Sequence, residues 1–507
     1  MSAPDADGWQ RTSPFAALFY IGKIYQAIAK NAVQSLAPLA AFLVAFQGDM
    51  KDKLAIGIGA FVLGTVILAV LRYWFFRYRI TDTSVLIRDG VFKRTQLDVK
   101  FERVQAVNTE QNVVFRMLGL LTVSFDTAGS SGQEGYLPAI HAESARELRD
   151  RIRRVPKPIS DAANSGEKAD RRDAATRMLL RLTAGDMVRI GLSSNRVFLL
   201  VVLIGPISEY MEREFGEIVE ESAVVEFLTQ AQTGLMSGLA FGLLLALGIL
   251  VLLFSISIAG AFLRFHRYEL VADEDVLRST GGLLTRHEHS VNRSKVQSLH
   301  ASQHVVLRLF RRFRLRARQA SSGRVGRGSD FIVPICTGDL LADLSLEFFP
   351  QEFSGLSLDP RAPGFERISP YYLRSRIVLI GVVPALVAIA LFWNSSGIAA
   401  LVALLWIPAC AIIVWQKYRR YGILYGQDGL ALRSGLIGFS VVAWLHRKVQ
   451  RVSVTQSPFQ RRRDLATVRI FLAAGSAIRI PYLEQAKAKA LRDYVLYRVE
   501  SSEVAWH

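Results

Sequence analysis

The sequence predicts an α+β membrane protein with six transmembrane helices in three hairpins, each followed by a β-rich cytoplasmic module that ends in a helix. Apolar runs long enough to cross a bilayer alternate with Arg-rich stretches along the 507 residues. One set of short motifs recurs three times at fixed spacing. The basic stretches follow the second, fourth and sixth apolar runs, and the positive-inside rule therefore places them in the cytoplasm.

Six apolar runs account for the predicted spans. Four of them carry no charge and need no further assumption. Two are weaker, because Asn31–Gly48 contains Gln34 and Pro38, and Val197–Ser208 is short unless the span borrows residues from Met187 onward. The four plain runs are Leu54–Leu71, Gly234–Leu263, Ile377–Trp393 and Gly397–Trp415.

Charge and composition divide the chain into nine segments. The loop 209–233 holds seven glutamates and one arginine, so it is predicted to lie outside the cell. The segments are an N-terminal or interfacial segment (1–30), hairpin 1 (31–75), module 1 (76–156), a linker (157–182), hairpin 2 (183–264), module 2 (265–349), a linker (350–370), hairpin 3 (371–416) and module 3 (417–500). Within the first segment, Phe15–Lys30 is expected either to lie in the membrane interface or to pack on module 1.

The repeated motifs establish three copies of one unit. Each copy has Arg-Tyr, a turn glycine, a basic residue before Val-Gln, a second glutamine, a downstream arginine and an apolar-Pro pair. From the turn glycine to the downstream arginine, the spacing is identical in all three copies. The residues are Arg77-Tyr78, Arg267-Tyr268 and Arg420-Tyr421; Gly90, Gly282 and Gly435; Arg103-Val104-Gln105, Lys295-Val296-Gln297 and Lys448-Val449-Gln450; Gln111, Gln303 and Gln456; Arg116, Arg308 and Arg461; Leu137-Pro138, Val333-Pro334 and Ile480-Pro481.

At these residues the chain resembles the bacterial pleckstrin-homology-like domain, in its long three-module form. The resemblance covers most of residues 15–500. It implies a small bent β-barrel or sandwich capped by a C-terminal helix, and no defined activity. The apolar runs and the charge pattern predict a multi-pass protein of the bacterial inner membrane with both termini in the cytoplasm. The resemblance also implies a role at the envelope, in stress or resistance, and a shorter one-module relative as a partner. Leu118-Gly119 of the first copy becomes Phe310-Arg311 and Arg463-Asp464 in the others, so a changed loop is expected there.

Two groups of basic residues are candidate contacts for anionic lipid. Arg103, Lys295 and Lys448 precede Val-Gln in the three copies, where either a lipid contact or a structural role in the barrel would explain them. Arg314, Arg316 and Arg318 alternate, so they share one face of a predicted strand. A solvated basic face is the alternative for that strand. The Arg-Tyr pairs listed above (77-78, 267-268 and 420-421) are predicted to anchor helix ends at the membrane interface.

Other residue patterns predict packing or indicate an absence. Gly234, Gly238 and Gly242 form a stripe that predicts close helix packing. Gln105, Gln297 and Gln450 are expected to satisfy strand-end backbone groups. The histidines lack a neighbouring cluster of carboxylates or thiolates, and no hydrolase motif occurs, so neither a metal, a cofactor nor an enzymatic activity is predicted.

The sequence as a whole predicts a non-enzymatic, membrane-anchored scaffold. A formal net charge of +18 favours an anionic partner, and the apolar runs favour membrane lipid over nucleic acid. A membrane-protein partner and self-association stay open. The alternative function is a lipid-handling or passive membrane transporter, which would require a continuous polar cavity through the spans.

Overall fold

The fold is built from antiparallel sheets and helices, in agreement with the predicted α+β class. The computed structural model describes residues 9–30, 50–91, 94–127, 135–154, 177–194, 235–273, 276–319, 330–349, 353, 355–473 and 475–501. The predicted span 31–48, the loop 209–233, Val197–Ser208 and most of the linker 157–182 lie outside these residues. The six-span layout is therefore not established by the structure.

The helices fall into long apolar ones and short ones attached to the sheets. They are α1 (Ala16–Lys30), α2 (Met50–Phe75), α3 (Val113–Met117), α4 (Ala142–Arg154), α5 (Ala184–Leu192), α6 (Leu235–Phe265), α7 (Val305–Leu309), α8 (Gly338–Phe348), α9 (Tyr371–Arg376), α10 (Val383–Ser396), α11 (Trp406–Arg420), α12 (Pro458–Arg461) and α13 (Gln485–Glu500). A π-helical segment, Ile377–Val382, joins α9 to α10, and a 3₁₀ segment, Gly397–Leu405, joins α10 to α11.

The strands number nineteen within the described residues. They are β1 (Arg77–Ile80), β2 (Ser84–Asp89), β3 (Thr95–Lys100), β4 (Val104–Gln111), β5 (Leu120–Thr127), β6 (Gly135–His141), β7 (Arg177–Arg181), β8 (Glu269–Asp273), β9 (Val276–Gly281), β10 (Arg286–Asn292), β11 (Val296–Gln303), β12 (Phe313–Gln319), β13 (Phe331–Cys336), β14 (Gly422–Tyr425), β15 (Gly429–Ser434), β16 (Phe439–Leu445), β17 (Val449–Thr455), β18 (Leu465–Leu472) and β19 (Ile478–Glu484).

The three modules share one order of elements. Each has three strands, a 3₁₀ turn at the basic residue before Val-Gln, a fourth strand, a short helix, two more strands and a closing helix. The ladder between the fourth and fifth strands shifts register at the Val-Gln pair in all three, after Val104, Val296 and Val449. The repeated Val-Gln therefore marks a β-bulge, which bends the fourth strand.

The sheets do not stop at module boundaries. A seven-stranded sheet has the order β6-β5-β4-β10-β9-β8-β7, and a six-stranded sheet has the order β13-β12-β11-β16-β15-β14. Three-stranded sheets, β1-β2-β3 and β17-β18-β19, stand at the two ends. The fourth strand of module 1 thus pairs with the third strand of module 2, and the fourth strand of module 2 pairs with the third strand of module 3. We call these pairings the first junction (β4–β10) and the second junction (β11–β16).

Both junctions use the same register. Gln111 lies opposite Arg286 at the first junction, and Gln303 lies opposite Phe439 at the second. In each case the second repeated glutamine of one module faces the residue four positions after the turn glycine of the next. The repeat in sequence is therefore also a repeat in how neighbouring modules pair.

Each module buries a hydrophobic core between its two sheets. Module 1 gathers Tyr20 of α1 with Phe76, Phe101 and Phe125, all 2% exposed or less. The packing of Tyr20 there settles the two alternatives for Phe15–Lys30, because α1 packs on module 1. The linker 350–370 is also packed, since Phe353, Leu356 and Leu358 join the core of module 2 and Ile368 joins that of module 3.

Three described helices are long and apolar enough to cross a membrane. They are Leu247–Phe265, Tyr371–Ser395 and Gly397–Arg420, and Gly59–Phe75 is a shorter apolar helix. In the predicted third hairpin, Pro384 has no N–H to donate to the carbonyl of Ile380, four residues earlier, and Trp406 Nε1 donates to this carbonyl at 2.9 Å. In the second hairpin, α5 packs closely on α6, because a Cβ placed on Gly191 would lie 2.5 Å from the Cα of Ile258.

The loop expected to differ between copies keeps one conformation. Gly119, Arg311 and Asp464 occupy the same place in the repeat, and their φ values are 64°, 52° and 51°. The expectation of a changed loop was wrong, because the backbone stays left-handed while the residue changes. A non-glycine residue there is strained by roughly 1–2 kcal/mol.

Candidate functional site

The alternating arginines of module 2 lie on one strand face, as the sequence predicts. On β12 the side chains of Phe313, Leu315 and Ala317 are buried, whereas the arginines between them are partly exposed. The neighbouring strand β11 places Ser302, His300 and Ser298 opposite Arg314, Arg316 and Arg318, respectively. We call these three arginines and the three residues opposite them the basic face.

The contacts of the basic face include an ion pair and a close approach to module 3. Arg316 Nε lies 3.6 Å from Asp330 Oδ2, in an ion pair that is partly exposed. The guanidinium of Arg318 lies against Gly475 of module 3, where an added Cβ would be 2.3 Å from its Nη1.

The titration of nearby groups indicates a positive potential at the basic face. Burial, together with the charges of Arg318 and Arg316, lowers the pKa of His300 to about 3. Burial also lowers the pKa of His304, with a contribution from Arg314. Both imidazoles are therefore neutral at pH 7, and the positive charge of the face comes from the guanidinium groups, which suit a phosphate or carboxylate.

The basic residues before Val-Gln divide into two buried lysines and one exposed arginine. Lys295 is 4% exposed and Lys448 is 1% exposed, whereas Arg103 is exposed. Lys448 Nζ donates to the backbone carbonyl of Ser294, in the preceding module. The burial of the two lysines favours a structural role over a lipid contact, because neither ammonium group reaches the surface.

The Arg-Tyr pairs join helix ends to the sheets. The rings of Tyr78 and Tyr268 are 7% and 5% exposed and belong to the cores of modules 1 and 2. Tyr268 Oη donates to Ile332 O at 3.1 Å, and Tyr421 Oη donates to Arg479 O at 2.8 Å. These rings pack on protein, and their expected position at the membrane interface stays a prediction.

The arginines of the three Arg-Tyr pairs differ in their contacts and backbone positions. Arg420 Nη1 donates to Gly438 O at 3.0 Å, and its guanidinium lies over the ring of Phe439. Arg77 begins β1, opposite Arg88, and Arg267 has a positive φ of 49° at the turn between α6 and β8. The repeated Arg-Tyr thus marks the place where a helix gives way to the first strand of a module.

The glycine stripe is only partly described. Gly234 lies outside the described residues, whereas Gly238 and Gly242 lie on α6. The close helix approach that the structure shows involves another glycine, Gly191 on α5.

Sequence reasoning missed the role of the second repeated glutamine. Its side-chain amide donates to the carbonyl at the start of the fifth strand or just before it in every module, at 2.7, 3.2 and 2.9 Å. The second glutamine therefore also has a strand-end role, and the fixed spacing was the available signal. Among the first glutamines, Gln297 has the expected role, because its side-chain amide donates to Lys295 O at 3.4 Å, whereas Gln450 is exposed. The three bonds are Gln111–Leu120, Gln303–Arg312 and Gln456–Leu465.

A polar cluster that the sequence did not indicate ties α2 to module 1. Arg72 near the end of α2 donates to Asp89 at 3.1 Å and to Tyr136 at 3.2 Å. Tyr136 Oη also donates to Asp89 at 3.1 Å, and burial raises its pKa above the ordinary tyrosine value. The cluster fixes the direction in which the apolar helix leaves the sheet.

Module 1 also contains an open cleft of about 810 Å³. It lies between the N-terminal segment, β6 and α4, and His141, Glu143, Glu147 and Arg151 are among its lining residues. Arg151 donates to Glu147 at 2.9 Å, so these two charges neutralise each other. Among the described residues, no group of three or more His, Cys, Asp or Glu side chains could hold a metal ion.

Comparison with known proteins decides the family. The model of the bacterial PH domain matches three times, at residues 27–155, 223–337 and 376–499. The chain belongs to the bacterial PH domain family. The three matches cover the three modules, so the resemblance inferred from the repeated motifs is confirmed.

Two relatives in Bacillus subtilis (strain 168) show the long and the short form of such proteins. The chain is 22% identical over 437 residues to UPF0699 transmembrane protein YdbT, which covers 82% of this chain and 83% of the relative. It is 28% identical over 141 residues to UPF0699 transmembrane protein YdbS, which covers 27% of this chain and 87% of the relative. The aligned 141 residues thus make up most of the second relative, and both relatives are named transmembrane proteins.

Proposed function

We propose that this bacterial PH domain protein is a non-enzymatic membrane scaffold whose three modules act as one platform at the inner face of a bacterial membrane. The observation that supports this function is the continuity of the sheets across both junctions. Modules joined by strand pairing keep fixed distances and orientations, whereas modules joined by linkers alone do not. A platform of fixed geometry is suited to holding partners or lipids in a set arrangement.

The proposed ligand of the platform is an anionic lipid headgroup, bound at the basic face. The Cα atoms of Arg314, Arg316 and Arg318 are about 7 Å apart along one strand, and their side chains share one face. Guanidinium groups bind phosphate through paired hydrogen bonds. Each such residue contributes roughly 1 kcal/mol of attraction to an anionic leaflet, which is about a fivefold change in affinity.

The test is extraction of the full chain in native-lipid discs, followed by mass spectrometry of lipids and proteins. We expect the enrichment of anionic lipid to be at least roughly fivefold lower with the triple variant Arg314→Gln, Arg316→Gln, Arg318→Gln than with the unmodified chain. The control variant Lys487→Gln, Lys489→Gln, Arg492→Gln removes the same charge from α13 and should retain the enrichment. Equal loss from both variants would assign the enrichment to net charge and contradict a specific site.

The same extraction distinguishes lipid from a protein partner. A stoichiometric one-module PH-like membrane protein that co-extracts without anionic-lipid enrichment would replace lipid as the ligand. Absence of both enrichments would reject the scaffold and favour the transporter. Within the described spans, Thr65 Oγ1 donates to Phe61 O at 2.8 Å and Ser255 Oγ donates to Val251 O at 2.8 Å, so these hydroxyls are satisfied by their own helices.

A further inference from the structure

Each junction joins two unlike edges. The edge of a fourth strand, β4 or β11, meets the edge of a third strand, β10 or β16. A series of three modules joined in this way uses two edges of each kind and leaves one of each kind at its ends. Those edges are the third strand of module 1, β3, and the fourth strand of module 3, β17. Within the described part of the chain, no strand pairs with the outer edge of either one.

Equivalent positions in different modules show that a neighbouring module lowers the exposure of such an edge. On β11, Gln297 and Ser298 are each 1% exposed, whereas the equivalent Gln450 and Arg451 on β17 are exposed. On β3, four of the six residues are exposed, whereas four of the seven residues of β16 are buried. An exposed strand edge presents unpaired backbone groups and serves as a template for another strand.

We propose that β17 of one copy of this chain pairs with β3 of a second copy. The occupant follows from continuity with the two junctions, because each end of the chain offers the edge that the other end accepts. Pairing of unlike surfaces is heterologous, so the copies would form a ring or an open row. Since every module is attached to membrane helices, such an assembly would extend along the membrane plane.

The shared register of the junctions fixes the proposed pairing residue by residue. It places Gln456 opposite Arg94 and Thr455 opposite Thr95, by the rule that the second glutamine faces the fourth residue after the turn glycine. Two paired threonines are a favourable cross-strand combination. Further along, Val452 lies opposite Asp98 and Arg451 opposite Val99, so no like charges face each other.

The repeated downstream arginine supports the same pairing. Arg116 Nη1 donates to Leu283 O at 3.2 Å across the first junction, and Arg308 lies over the ring of Phe439 across the second. Arg461 is the equivalent residue of module 3, and it is exposed. In the proposed pairing it would reach the Gly90-Val91 turn of the next copy.

The test is a disulfide placed between copies. One tagged chain carries Thr95→Cys, a differently tagged chain carries Thr455→Cys, and both are expressed together and oxidised in their membrane. Opposing residues of antiparallel strands have Cα atoms about 4.5–5.5 Å apart, a separation that a disulfide spans. The expected product is a covalent pair bearing both tags, and the double variant in one chain should give a ladder of multimers.

A matched control uses Gln450→Cys in place of Thr455→Cys. Gln450 is exposed on the same strand but lies about 17 Å from the position opposite Thr95. The natural Cys336 and Cys410 are buried and present in every variant. Cross-linking no greater than this control, or cross-linking of either cysteine to a one-module protein in place of the second copy, would overturn the proposal.

Native mass spectrometry of native-lipid discs provides a second measurement without engineered cysteines. The unmodified chain should appear as multiples of one chain, and Arg461→Ala should shift at least half of the multimers to single chains. The neighbouring exposed Arg462→Ala serves as the control and should leave the distribution unchanged. Single chains alone in the unmodified sample would overturn the proposal.

Discussion

The two junctions have the same backbone pairing and opposite side-chain chemistry. At the first, Glu288 of β10 accepts a hydrogen bond from Thr109 at 3.1 Å and forms ion pairs with Arg149 at 3.1 Å and Arg278 at 3.4 Å. Asn108 also accepts a hydrogen bond from the backbone N–H of Ser290 at 2.9 Å. The first junction is therefore stabilised largely by hydrogen bonds and ion pairs.

The second junction is held by one apolar face, whereas its other face carries Ser298, His300 and Ser302 of β11. Leu299 and Ala301 of β11 and Val441 and Ala443 of β16 are all 2% exposed or less and belong to one core cluster. Trp444, at 0% exposed, joins the core of module 3 from the same strand. The repeat therefore gives both junctions the same register, whereas their side chains determine how stable each junction is and which type of interaction stabilises it.

The largest predicted difference between the junctions comes from deleting side-chain volume. Leu299→Ala should destabilise the second junction by about 2–5 kcal/mol, because a fully buried leucine leaves a cavity. Val107→Ala, at the equivalent position of the first junction, should cost less, because Val107 is only partly buried. Hydrogen exchange of β11 and β16, compared with β4 and β10, measures both effects. Equal losses would show that the junctions do not differ as described.

Acidification should weaken the second junction through His300 on β11. Burial holds the folded-state pKa of His300 at about 3, below the ordinary value of 6.5, so the unfolded state binds a proton first. The contribution of neutral His300 to the free energy of unfolding is fully present above pH 6.5. It is lost as the pH falls toward 3, at roughly 1.4 kcal/mol per pH unit. His300→Gln should flatten the decline in stability between pH 6.5 and 4.5. An unchanged slope would show that His300 is not responsible.

His446 should contribute a separate acid sensitivity to module 3. Burial lowers its folded-state pKa to about 4, so the same reasoning and the same direction apply. Hydrogen exchange of β14 to β16 in His446→Gln would separate this contribution from that of His300.

The first junction should respond to salt where the second does not. Glu288→Gln removes two ion pairs and weakens a hydrogen bond, at a cost of about 1–3 kcal/mol. High salt screens partly exposed pairs, so the difference between variant and unmodified chain should shrink as ionic strength rises. Hydrogen exchange of β4 and β10 at low and high salt provides the measurement. A difference in stability that does not depend on salt would indicate that hydrogen bonds, and not ion pairs, stabilise this junction.

The smallest predicted effect is a gain in stability at a strained loop. Arg311→Gly should stabilise module 2 by about 0.5–1 kcal/mol, because glycine adopts the positive φ of this position without a steric penalty. Asp464→Gly should gain less, since aspartate tolerates this conformation better than arginine does. Thermal unfolding of the two variants checks the order. Destabilisation by Arg311→Gly would mean that contacts of the arginine outweigh the strain.

Repeated spacing predicted the modules, their strands and the family, because these depend on local pattern. The alternation of Arg314, Arg316 and Arg318 likewise predicted their shared face, since side chains alternate along any strand. The left-handed conformation at Arg311 and Asp464 was missed, because residue type alone does not indicate a positive φ there.

The junctions could not be predicted from the sequence. They pair strands far apart in the chain, and nothing in either strand identifies its partner. The burial of Lys295 and Lys448 depends on the placement of neighbouring modules, so the sequence favoured neither a lipid contact nor a structural role decisively. The number of membrane spans remains a prediction, because two of the six runs fall mostly outside the described residues.

Sheet continuity between modules also sets an order of events during synthesis. Thr109 and its partner Glu288 are separated by 179 residues. At about 5–20 residues per second, β4 emerges from the ribosome roughly 9–36 s before β10 exists to pair with it. The nascent chain must keep that edge from pairing elsewhere while the residues between the two strands are synthesised. During synthesis, the fourth-strand edges of modules 1 and 2 therefore stay unpaired until the following module has been made.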